Sequence, residues 1–210
     1  IIANPDIHVT PRCIRRVKDA LDKTQGAVAA SARVKDPMGG ELFSYWTLLP
    51  LWKDLLDTGL VTRRLFKAML NTPSYRLAYA GDEDCRLVDA VPGSFFMLKT
   101  GILTPGEIKE VFDKHIFLYY EEKVLGQKFR KMGLKTVLVT DESYVHAHSV
   151  SIDKSFKRIV DKQSLLHRSK LYYYKEYLGT GPAGMAAARA VLGLVLAEVW
   201  FLTVVCRMRW

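Results

Sequence analysis

Cysteine is scarce in this chain: Cys13, Cys85 and Cys206 are its only three, and they lie far apart. An odd, dispersed set excludes a disulfide framework and a cysteine-based metal site, and it suits a reducing compartment. The sequence also lacks an initiating Met, an N-terminal signal peptide and a lipidation motif. Internal repeats and low-complexity tracts are absent too, which argues against a solenoid or a disordered array.

What is present reads as globular: 49% of the 210 residues are hydrophobic and 25% charged. That length accommodates one domain, or one domain with a tail, around a sizeable core. The formal charge of +9 admits nucleic acid, an anionic membrane face or a phosphorylated substrate, and by itself selects none of them. The chain opens on Ile1-Ile2-Ala3 as if a strand were already in progress, so further chain is expected upstream.

A short apolar strand over 1–7 runs into the turn signal Asn4-Pro5-Asp6. Thr10-Pro11 then opens a helix, by a cap residue followed by Pro at the first position, that runs to about Lys23. An Ala/Val-rich strand over 26–34 completes a strand, helix, strand order. Over 41–80 the spacing of Trp46, Trp52, Leu55, Leu56, Leu60, Leu65, Phe66 and Leu70 predicts one or two amphipathic helices over the sheet, broken at Pro50 and Gly59. Strands follow at 87–91 and 95–98, helices at 106–112 and 121–132, and strands at 135–139 and 144–148. A basic, aromatic-rich helical stretch fills 153–178, and an apolar helix 183–210 ends the chain. The catalytic-type domain is expected over 1–152.

Several small motifs bear on chemistry. Asp6 stands where an α/β strand ends and can hold a divalent cation; an Asx turn is the other reading. Glu121 and Glu122 open a helix, where the dipole stabilises a carboxylate and a general base can sit, although acids are ordinary there. His146 and His148 share one side of an extended segment and can bind a metal or phosphate, or simply lie at the surface. Gly93-Ser94 follows a strand and lets a ligand approach the backbone, or makes a plain turn. No nucleic-acid motif accompanies the basic stretch, so nucleic acid is not favoured.

In order, these pieces resemble family 2 glycosyltransferases of the GT-A type, especially rhamnosyltransferase-like members. The resemblance rests on Asn4-Pro5-Asp6, Gly26-Ala27-Val28, Asp36-Pro37-Met38-Gly39, Val88-Asp89-Ala90-Val91-Pro92-Gly93, Phe112-Asp113, Phe117 to Glu122, Lys131-Met132-Gly133 and Val145-His146 to Ser151. It covers about 1–178, and its weight lies in the order of weak signals. It implies a truncated, Rossmann-like nucleotide-diphospho-sugar transferase fold, with a mixed sheet flanked by helices and a helical C-terminal tail. It further implies inverting transfer of a sugar, such as rhamnose, from a dTDP- or UDP-linked donor to a cell-surface polysaccharide or lipid-linked glycan.

By the same resemblance, Glu122 is the general base with Glu121 as neighbour or substitute. Asp6 and His146 hold Mg²⁺ or Mn²⁺ against the diphosphate, and Gly93, Ser94 and Asp89 line the donor and acceptor. Two departures stand out: Glu-Glu replaces the family's Glu-Asp, and the nucleotide-binding unit of the family does not precede Ile1. The alternative is therefore a truncated, non-catalytic membrane-associated module or partner subunit with a decayed transferase fold.

The apolar stretch from Ala183 to Cys206 is long enough to span a bilayer, interrupted by Arg189 and Glu198. It is expected either to contact a membrane, spanning or interfacial, or to dock on the domain. Location in the cytoplasm at the inner face of the cell membrane follows from the resemblance and the charge.

Overall fold

The computed structural model describes residues 1–66, 70, 84–116, 118–147 and 159–207. Its first elements are β1 (Ile2–Ala3), β2 (Ile7–His8), α1 (Pro11–Lys23) and β3 (Ala27–Lys35). There follow α2 (Leu51–Leu56), α3 (Leu60–Leu65), β4 (Cys85–Val88), β5 (Phe95–Leu98) and α4 (Pro105–Glu110). The last are α5 (Glu121–Lys131), β6 (Lys135–His146), α6 (Ile159–Glu176) and α7 (Pro182–Trp200), which continues as a π-helical turn over Phe201–Val205. The fold is mixed α/β, with a mixed sheet flanked by helices and a C-terminal helix. Phe117, His148, Ser151, the basic residues Lys154, Lys157 and Arg158, and most of 67–83 lie outside the described residues.

The chain divides into two units. A sheet unit comprises Ile1–Leu48, Pro73–Asp113 and Glu121–Ser149; a helical unit comprises Leu49–Thr72, Lys114–Tyr120 and Val150–Trp210.

In the sheet unit the strand order is β1-β5-β3-β6-β2, with β4 also paired to β6. Among the described residues, only β3 and β6 run parallel; the other pairs are antiparallel. A parallel pair is covered on both faces, which accounts for the run of small apolar residues in β3. Cys13, Val17, Ala20 and Leu21 of α1 cover one face, with Phe95, Val137, Val139 and Tyr144. Leu125 and Phe129 of α5 cover Val28, Ala29, Phe96 and Leu138 on the other. The start of α1 is as the sequence predicts: Thr10 Oγ1 accepts from Cys13 N–H at 3.1 Å and Pro11 takes the first position. Such a cap is worth about 1 kcal/mol.

The segments 135–139 and 144–148, read as separate strands, belong to one strand that ends at His146. Pairing with β3 jumps from Ala32↔Val139 to Arg33↔Ser143, so Thr140, Asp141 and Glu142 are left over as a bulge. Polar side chains there break the apolar pattern because they face α1: Arg16 pairs with Asp141 at 2.8 Å and Arg12 with Glu142 at 2.6 Å.

In the helical unit, α6 and α7 pack together and α2 packs on α7. Pro50 and Gly59, read as breaks, are the cap positions of α2 and α3. All three cysteines are free thiols.

Candidate functional site

Five of the expected site residues, Asp6, His146, Gly93, Ser94 and Glu122, come together at one end of the sheet unit. The antiparallel pairing of Ala3 with Phe95 continues into a bond from Asn4 N–H to the Ser94 carbonyl at 2.8 Å. The pairing of Ile7 with His146 likewise continues from Ala147 N–H to the Asp6 carbonyl at 3.1 Å. These two ladders pin the Asn4-Pro5-Asp6 turn from both sides. Asp6 Oδ1 consequently lies 3.4 Å from His146 Nε2, with His146 buried and Asp6 half-buried.

Glu122 enters from α5. Gly93 N–H donates to Glu122 Oε1 at 3.2 Å, and a Cβ on residue 93 would stand 3.2 Å from that same oxygen. Glycine therefore lets the backbone come close to the carboxylate. Burial pushes the Glu122 carboxyl above its ordinary range, and the Glu121 charge adds to this; its own N–H, the Gly93 N–H and Lys123 pull the other way. A carboxylate raised toward neutrality at a helix N-terminus is suited to accept a proton from a hydroxyl.

Tyr144 joins the cluster without having been singled out in the sequence. Its hydroxyl shares a 2.7 Å hydrogen bond with Ser94 Oγ, and its ring meets Phe95 edge-on at 5.1 Å. Burial pushes its pKa above the ordinary phenol value, even though Ser94 and Ser31 act in the opposite direction. Tyr144 and His146 are two apart on one strand and so share a face, which is the signal the sequence offered.

Asp89 is engaged elsewhere. Its carboxylate accepts from Arg130 at 2.8 Å and from Leu48 N–H at 2.8 Å. Arg130 follows Glu122 by eight residues, or about 12 Å along a helix. A groove of about 320 Å³ lies at that far end, lined by Leu87, Asp89, Phe129, Arg130 and Lys135 among others, and not at the Glu122 carboxylate.

Asp6 and His146 are close enough to share one cation, and a carboxylate oxygen suits Mg²⁺ or Mn²⁺. Among the described residues, no group of three or more His, Cys, Asp or Glu converges. The pair fits a cation that takes its remaining ligands from phosphate oxygens and water, as Mg²⁺ commonly does.

The helical unit has a polar cluster of its own that sequence reading missed. Asp54 is almost fully buried, and one of its oxygens, Oδ2, accepts from Tyr120 OH at 2.6 Å, Tyr174 OH at 2.6 Å and Lys170 Nζ at 3.0 Å. Lys170 also donates to Thr58 Oγ1 and sits 5.2 Å over the Tyr120 ring. Burial and the Asp54 charge push both phenols upward. The sequence signal is a charge with aromatics three and four residues on, Lys170 with Tyr173 and Tyr174, which share a helix face.

Leu118, Tyr119 and Tyr120, next to Glu121 in the chain, have φ of 60°, 65° and 72°. Left-handed backbone costs about 1–2 kcal/mol per non-glycine residue, so three in succession need external support. Ser169 Oγ supplies it to the Leu118 carbonyl at 2.9 Å, and Asp54 and the Tyr173 ring supply it to Tyr120.

No protein-family model matches the chain, and a search of curated proteins finds no match.

Proposed function

We propose that the chain is the acceptor-side part of an inverting, GT-A-type glycosyltransferase, with Glu122 as general base. The observation that carries this reading is the Glu122 carboxylate: held by Gly93 N–H, raised by burial, and linked through Gly93-Ser94 to Tyr144 and the strand bearing His146. The residue order set out in the sequence supports the same reading.

In this reading Glu122 takes the proton from an acceptor hydroxyl as that oxygen attacks the anomeric carbon, and Glu121 is the nearest substitute. Ser94 and the protonated Tyr144 orient hydroxyls beside it. Asp6 and His146 would hold Mg²⁺ or Mn²⁺, which supplies charge neutralisation for the departing diphosphate of a dTDP- or UDP-linked sugar. Asp89 braces α5 through Arg130 and keeps the Gly93 loop in place. The acceptor is a glycan or a lipid-linked glycan.

Transfer from UDP- or dTDP-sugars with Mg²⁺ or Mn²⁺ is expected to fall roughly 10²–10⁴-fold in Glu122→Gln, with donor binding retained. Unchanged turnover would move the role to Glu121 or remove the assignment. A second reading, a non-catalytic module, draws on the Glu121-Glu122 pair standing where the family has Glu-Asp. Calorimetry separates the two: no heat with UDP or dTDP, with and without Mn²⁺, supports the module.

A further inference from the structure

The C-terminal helix poses a problem of cover. From Pro182 to Val205 the helix is apolar nearly all round, and a helix of that kind is buried in a core or in lipid. Yet only 22% of its most apolar stretch is buried. Met185, Ala188, Leu192, Val195 and Val199 form the one buried stripe, docked within the helical unit. At 100° per residue the opposite side carries Ala183, Ala186, Ala190, Leu194, Ala197 and Phe201, all exposed, with Leu194 at 72%. Arg189 and Glu198 fall on the two flanks, so this face bears no charge.

Charge identifies what covers it. Of the 31 Lys and Arg and 22 Asp and Glu, 15 and six respectively fall in the ranges of the helical unit, which therefore carries the whole +9. The remaining 16 and 16, in the sheet unit, cancel. A second copy on this face would set one +9 unit against another, whereas an anionic lipid surface attracts it.

We propose that α7 lies in the plane of an anionic bilayer surface, its buried stripe docked on α2 and α6 and its opposite face in the acyl boundary. It does not cross. Glu198 accepts from Leu60 N–H at 3.3 Å and Val61 N–H at 3.2 Å. Spanning would strip those bonds, expose the docked stripe and carry Arg189 and Glu198 into hydrocarbon. The membrane-contacting and docked alternatives of the sequence are thus two faces of one helix.

The test is vesicle flotation of the 210-residue chain. Binding to phosphatidylcholine vesicles containing roughly one third phosphatidylglycerol is expected to be at least about tenfold tighter than to phosphatidylcholine alone. The bound chain is expected to be extracted by alkaline carbonate. A Leu194→Glu/Phe201→Glu double variant is expected to lose flotation with its circular dichroism unchanged. No flotation with anionic vesicles, equal binding by the double variant, or resistance to carbonate would each overturn the proposal. So would a wild-type dimer that fails to float and that the same substitutions dissociate, since a second copy would then be the cover. None of these outcomes depends on transferase activity.

Discussion

The two units handle charge in opposite ways. The sheet unit is neutral overall and keeps its pairs at the surface, as in Lys18 with Asp22 and Arg130 with Asp89. The helical unit carries the entire excess, yet it buries one pair completely, Lys170 with Asp54, at 6% and 2% side-chain exposure. Exposed pairs contribute about 0–1 kcal/mol, so the sheet unit rests on its two apolar layers. A buried pair gains little over an apolar substitute, but losing one partner strands the other. The helical unit is therefore the more brittle of the two to a single polar change.

Lys170→Met is the strongest way to break this contrast. It is expected to cost about 3–5 kcal/mol, seen as lost hydrogen-exchange protection in α6 and α7. The comparison change Arg130→Met is expected to cost no more than about 1 kcal/mol. Equal losses would erase the distinction.

Acid is the next lever. Burial lowers the His167 pKa to about 4, with Lys170 adding to the effect and Gln163 bonded to its ring. Between the ordinary histidine value and about 4 the unfolded chain takes a proton that the folded one refuses. Helical-unit stability should fall across that window as pH drops, by up to about 3 kcal/mol, and His167→Gln should flatten the profile. Glu122 works with the opposite sign in the sheet unit: its carboxyl is raised on folding, so its contribution to stability is lost as pH rises through its folded pKa. Melting curves across this range, with and without His167, separate the two.

A further change probes the apolar layers. A Cβ on Gly126 would lie 2.4 Å from the Asp89 carbonyl oxygen. Gly126→Ala should cost about 1–3 kcal/mol by forcing α5 off β4's neighbouring backbone, measured by urea unfolding. No loss would mean that this layer yields more readily than the contrast implies.

Local signals were legible and distant ones were not. Pro50 and Gly59, read only as breaks, are the N-caps of α2 and α3, whereas Thr10-Pro11 acts within a few residues and announces a helix start in the sequence itself. Gly133, with φ of 70°, marks the end of α5 for the same reason. The β6 bulge hid one long strand because its polar residues answer to α1, more than a hundred residues earlier. Site residues followed the same rule. Asp6 and Glu122 could be picked out by their place at the end of a strand or the start of a helix. Tyr144 was passed over: its spacing from His146 hints at a shared face, but its partner Ser94 lies 50 residues away. Asp54 was passed over because the phenols that bond it lie 66 and 120 residues downstream.

The left-handed turn at Leu118–Tyr120 bears on the order of folding. Its own residues disfavour it, and its supports come from Ser169, 51 residues on, and from Asp54, 66 residues back. Loop closures of that length must be made before the turn gains anything from them. The backbone leading into Glu121 and Glu122 thus depends on both α2 and α6 for its support. A chain interrupted before α6 lacks Ser169 and Tyr173, and with them two of the supports of that turn.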